Sequence, residues 1–158
     1  MKTSILTLRF TRRAIGAAAI SAGELSLLDG RFLSPLPMER AIPSALRYID
    51  KLLELTHPTT VAIDAPGSDG STLASALRTE VERRLLSLGI PILVLDRSDI
   101  LAAFGVTRVV DRRQLRELME ILWPGMDRVK GKVKPYVADA AAGALFSECQ
   151  VALDGIDP

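Results

Sequence analysis

Leu6, Leu8 and Phe10 alternate with Thr7 and Arg9, and this period of two predicts a strand over residues 4–10 with two differently exposed faces. A polar turn, Thr11-Arg12-Arg13, leads into the small apolar run AIGAAAI at residues 14–20. Alanine content alone would favour a helix there. The run is short and bounded by turn signals, and Gly16 suits a strand that another backbone crosses closely, so a second strand is predicted. A turn at residues 21–24 opens a third strand over residues 25–28, and the Asp29-Gly30 pair predicts the turn that closes it.

Beyond residue 30 the period changes. Pro35, Pro37 and Pro43 mark a loop or crossover, and Pro43-Ser44 is expected to open a helix reaching about residue 55. Leu46, Ile49, Leu52 and Leu53 recur there at three- and four-residue spacing, and His57-Pro58 stops the pattern. Residues 60–63 (TVAI) form a β-branched apolar run of the kind buried on both faces, ending at Asp64. Leu73, Leu77, Val81, Leu85 and Leu88 lay a helical stripe over residues 71–88, with Asp69 or Ser71 as its cap. A buried strand over 90–95, a short helix over 98–104 and a helix capped by Asp111 and stopped by Trp123-Pro124-Gly125 follow. A basic linker, 128–134, then leads to a small-residue helix from Val137 to about Val151, with Asp139 in its first turn.

Composition narrows the class. With 158 residues, 48% hydrophobic and 25% charged, the chain has the size of one globular domain, predicted to span 1–158. Aromatics make up only 4%, so the core must be aliphatic. A formal charge of +1 argues against a strongly basic nucleic-acid binder while leaving room for a local basic patch. The one cysteine, Cys149, excludes an internal disulfide and is expected in the core of the last helix. No secretory signal and no membrane-spanning apolar stretch is visible, so a cytoplasmic location is expected.

Chemistry centres on two acids. Carboxylates at strand ends and on a helix packed across them can converge on divalent cations that activate water against a phosphodiester. Asp64 ends a buried strand before a Gly-rich turn, and Asp139 lies among alanines that would let its helix approach the sheet. Each has a plainer reading, as a turn aspartate and as a helix N-terminal acid. Gly67-Ser68-Asp69-Gly70-Ser71 can form an anion pocket or simply a capped turn, and it lacks the lysine of a nucleotide-binding loop. Arg12, Arg13, Arg108, Arg112, Arg113, Arg116, Arg128, Lys130, Lys132 and Lys134 are able to follow a phosphate backbone or to be ordinary solvated charges. His57 and Trp123 read as residues at helix ends.

Three antiparallel strands followed by helix–strand–helix–strand–helix is the order of an α/β ribonuclease H-like fold, with a five-stranded mixed sheet flanked by helices. Within that class the chain resembles the RuvC-type Holliday-junction resolvases over nearly its full length. ILTLRFTRRAIGAAAI (5–20) matches the family's first hairpin without a gap, Gly16 included. VAIDAP (61–66) falls at the family's strand-end acid and also resembles a related ribonuclease H-fold group with that string. GIPILVLDRSDI (89–100) matches the opening of the family's next strand, and ADAAAGAL (138–145) resembles its Ala-Asp-Ala-Ala-Asp-Ala-Leu helix.

The departures fall on the metal ligands that the resemblance implies. Arg9 stands where the first strand gives an aspartate, and Ala142 replaces the second acid of the last helix. Asp64 and Asp139 remain as catalytic and metal-binding candidates for Mg2+ or Mn2+, and Asp69, Asp96 and Asp99 are possible substitutes. An arginine competes with a cation and can pair with either carboxylate. The resemblance therefore implies a nucleic-acid-binding homodimer for branched DNA or structured RNA, descended from a metal-dependent endonuclease and weakened or inactive, a pseudoenzyme. Alternatives are a non-catalytic scaffold for protein contacts and residual hydrolysis of small phosphate substrates.

Overall fold

The computed structural model describes residues 3–33, 37–65, 71–105 and 112–156. Five strands, β1 (Ser4–Phe10), β2 (Ala14–Ser21), β3 (Glu24–Phe32), β4 (Thr60–Asp64) and β5 (Ile92–Leu95), form one sheet in the order β3-β2-β1-β4-β5. The β3–β2–β1 pairs are antiparallel, and β1–β4 and β4–β5 are parallel, as the element order predicts. The helices are α1 (Met38–Thr56), α2 (Thr72–Ser87), α3 (Arg97–Ala103), α4 (Arg112–Leu122) and α5 (Lys134–Ile156).

The alternation in β1 separates two buried layers. Leu6, Leu8 and Phe10 join Ile15, Ala17, Leu52, Leu77 and Val81 in a core beneath α1 and α2. Ile5, Ala14, Ala18 and Ala62 join the α5 residues Val137, Ala138, Ala141, Ala142 and Ala144 on the other side. The expectation of two differently exposed faces fails because β1 is the central strand, covered on both sides, so Thr7 and Arg9 are buried as well. The run at 14–20 is a strand, as its turn boundaries require.

Glycines in β2 and β3 set how closely α5 approaches. A Cβ added to Gly16 would lie 2.0 Å from the Tyr136 carbonyl oxygen and 2.3 Å from its carbon. Gly30, opposite Gly16 in the sheet, is covered by Val133 and Val137. This close packing explains why Asp29-Gly30 is not the expected turn: the pair lies within β3, and Gly30 is where the helix crosses.

Other boundaries move for comparable reasons. Helix α1 starts five residues before Pro43, with Arg40 and Ala41 N–H groups donating to the Pro37 carbonyl. Pro43 leaves the Glu39 carbonyl without its intrahelical donor, and both residues are exposed to water. His57 caps α1 in the left-handed region, as expected of a helix-end residue. A 3-10 turn (Pro124–Arg128) follows α4 within the region expected to be a stop and linker. Helix α5 begins at Lys134, so Asp139 lies in its second turn and outside the first-turn position favoured by the helix dipole. Trp123 packs against the α5-side core as predicted, whereas Cys149 is exposed, because the outward face of α5 carries it.

The Ser71 hydroxyl accepts from the Ala74 N–H at 3.2 Å and caps α2. Ser71→Ala is expected to lower stability by about 1 kcal/mol, measured by urea denaturation, and a change below about 0.2 kcal/mol would show the cap to be redundant.

Candidate functional site: a buried arginine between two carboxylates

The sheet register brings the site together. Gly30, Gly16 and Arg9 lie opposite one another across β3, β2 and β1. Asp64 follows the Leu8–Ile63 pair by one residue on β4, which places it beside Arg9. The two glycines leave room for the first turns of α5, and Asp139 comes down over the same row. Small residues at 138 and 140–142 make that approach possible, as the sequence pattern predicts.

Arg9 occupies the centre. Its Nη1 donates to Asp64 Oδ2 at 2.8 Å, and its Nε lies 3.7 Å from Asp139 Oδ2. Arg97, the first residue of α3 and two positions past the end of β5, closes the other side through an ion pair from Nη2 to Asp139 Oδ1. Exposure is 2% for Arg9, 4% for Asp64 and 8% for Asp139, so these charges hold one another largely out of water. Two guanidinium groups balance two carboxylates. Such an arrangement is stable only while complete, because removing one partner leaves a buried charge without compensation.

Asp64, Asp139 and Arg9 thus meet as the sequence suggests. Arg97 was not among the predicted site residues. Its signal was available in the strand order, since parallel β4 and β5 end side by side, with Asp64 opposite Leu95, and the first residues past β5 must lie near Asp64. Asp96 is engaged differently: it caps α3, accepting from the Ser98 N–H at 2.8 Å. The Ser98 side-chain hydrogen bond, then its backbone N–H, hold the Asp96 carboxyl below the ordinary aspartate range while it faces solvent. Asp99 is exposed, and Asp69 lies outside the described residues.

The present donor set does not fit a divalent cation. Magnesium requires an oxygen shell of near-octahedral geometry. Here Asp64 Oδ2 and both Asp139 oxygens face guanidinium groups. Among the described residues no group of three or more His, Cys, Asp or Glu side chains is placed to hold a metal ion. Ala142 is buried in the α5-side core. The positive charge at this position is supplied by the protein's own chain.

The predicted basic residues divide into groups. Arg12 and Arg13 are exposed in the β1–β2 turn, just beyond Arg9. Thr11 stiffens that turn, its Oγ1 accepting from the N–H groups of Arg13 (3.2 Å) and Ala14 (3.0 Å) and donating to the Ala14 carbonyl. Lys130 and Lys132 are exposed before α5, and the Lys132 ammonium lies 5.9 Å from the centre of the Phe32 ring. Lys134 pairs with Glu120 at 3.0 Å and Arg113 with Glu117 at 3.2 Å, while Arg116 is half-buried on α4. Arg108, the Arg112 side chain and residues 67–70 of the candidate anion pocket lie outside the description; Ser71 from that string is the α2 cap.

No protein-family model matches the sequence, and the sequence matches no curated protein. Solved structures are. Thermus thermophilus RuvC in complex with a Holliday junction substrate superposes with a TM-score of 0.63 at 14% identity, covering 90% of this chain and 91% of that one. Thermus thermophilus RuvC alone gives 0.63 at 12% identity, covering 94% and 97%. At such identities the likeness concerns the fold, and it agrees with the strand order and directions of the sheet. No described helix is long and apolar enough to cross a membrane. The architecture of this chain is the RuvC-like form of the ribonuclease H fold.

Proposed function

We propose that this protein binds branched DNA or structured RNA as a homodimer and that its inherited hydrolytic centre is disabled or weakened. The observation that carries this reading is the Arg9 guanidinium, buried between Asp64 and Asp139 where a nuclease of this fold would gather cations. Support for the ligand comes from the exposed Arg12, Arg13, Lys130 and Lys132, and from the neighbouring RuvC structure, which was solved with a Holliday junction substrate. In this reading Arg9 and Arg97 hold the carboxylates closed and neutral overall, and the hairpin and linker cations meet phosphates. Asp64 and Asp139 retain a structural role.

The test is a labelled four-way junction titrated with native protein across a salt series, then incubated with Mg2+ or Mn2+. Binding should weaken with salt at a logarithmic slope of at least about 3 to 4 in magnitude, these four cations contributing roughly 0.9 each. Cleavage should stay at background for native protein. Metal-dependent cleavage by native protein that disappears in Asp64→Asn would overturn the disabled-centre reading. A stable oligomer that binds neither DNA nor RNA at low salt would replace it with the scaffold reading.

A further inference from the structure

We infer that a second basic groove, between β3 and α1 on the face of the sheet opposite Arg9, is a contact site for nucleic-acid backbone phosphate. This inference rests on the nucleic-acid reading above and extends it to residues outside the inherited centre. Arg31, Arg47 and Lys51 line a groove of about 460 Å³ together with Asp29 and Tyr48. Arg47 and Lys51 are one helical turn apart on α1, so their side chains share a face. Both are exposed, and among the described residues no ion pair joins Arg31, Arg47 or Lys51 to a carboxylate.

Arg31 is held in place before any ligand arrives. Its Nη2 donates to Ser44 Oγ at 2.8 Å, and its guanidinium carbon lies 5.9 Å from the centre of the Tyr48 ring. The Tyr48 hydroxyl donates to Asp29 Oδ2 at 2.7 Å. Burial, followed by this bond to Asp29, pushes the phenol well above its ordinary pKa, so it remains a neutral donor that occupies one Asp29 oxygen. Three cations face one carboxylate, and the groove is anion-seeking. A guanidinium fixed by a hydroxyl and an aromatic face loses little freedom on meeting a phosphate.

The groove also continues the basic edge. The Leu33 N–H donates to the Arg13 carbonyl at 2.6 Å, tying the end of the β1–β2 hairpin to the chain just past Arg31. The hairpin backbone thus lies two residues from Arg31, and Ser44, which holds Arg31, is followed by Arg47 and Lys51 along α1.

Junction binding measured across a salt series separates the possibilities, with R47Q/K51Q compared with native protein and with R83Q/R84Q. The last pair removes two arginines that already pair with Glu80 and Asp50 on α2 and α1. R47Q/K51Q should reduce the magnitude of the salt slope by about 2, one for each phosphate no longer neutralised, with R83Q/R84Q keeping the native slope. Both replaced residues of the groove are exposed, and an unchanged melting temperature checks that the fold is kept. Native slope in R47Q/K51Q, or an equal loss in the control pair, overturns the groove and leaves the nucleic-acid reading intact. Native protein that binds no nucleic acid at low salt overturns both.

Discussion

Replacing Arg9 with alanine is expected to destabilise the protein by about 3–5 kcal/mol, the range for breaking a buried ion pair from one side. The cause is desolvation. Asp64 and Asp139 are 4% and 8% exposed, and each lies in ion-pair range of Arg9. Without the guanidinium, Asp64 loses its 2.8 Å donor, and Asp139 keeps, among the described ion pairs, Arg97. A domain of this kind has roughly 5–15 kcal/mol in total, and for its length the loss corresponds to a fall of about 10 °C in Tm. Urea denaturation measures it directly. A cost below about 1 kcal/mol would mean that the carboxylates do not depend on Arg9. Arg9→Asp adds a third carboxylate and should be less stable still in chelator. Millimolar Mn2+ should then restore part of its stability, because a ligand that binds only the folded state shifts the equilibrium towards it. Native protein should show no such response, its cation already being covalently attached.

Gly16→Ala should be comparably damaging through sterics alone. Its Cβ would lie 2.0 Å from a backbone oxygen and 2.3 Å from a backbone carbon of Tyr136, and neither can rotate away. Either α5 or β2 must move, and a loss at or above about 3 kcal/mol is expected, at the upper end for overpacking. Asp139 is one turn beyond Tyr136 on α5, so the displacement also draws its carboxylate away from Arg9. Gly131→Ala is the matching control, since nothing lies within 4 Å of its added Cβ. It should leave stability unchanged or raise it by up to about 1 kcal/mol. Equal effects of the two substitutions would disprove the close crossing of α5 over β2.

The AIGAAAI run and the polar turns on either side placed β2 correctly, and Gly16 already pointed to a crossing backbone. The Leu73-Leu77-Val81-Leu85 stripe and the Ser71 cap located α2 to within a residue or two. The same local reasoning misread Asp29-Gly30 as a turn, because a glycine required under α5 has the same letter as a glycine required in a loop. It also placed Cys149 inside, where composition is apolar but the helix face turns outward.

Sequence alone determined which segments form strands, the helix spacing and the identity of the unusual residue, Arg9. These follow from backbone periodicity and from turn chemistry, which act over a few neighbouring residues. Tertiary structure decided that Arg9 is buried, that it reaches an aspartate 55 positions away and a second one on α5, and that Arg97 completes the set. An ion pair depends on which chain segments the sheet order brings together, and its strength on how much water they exclude. Neither quantity belongs to any one stretch of the chain.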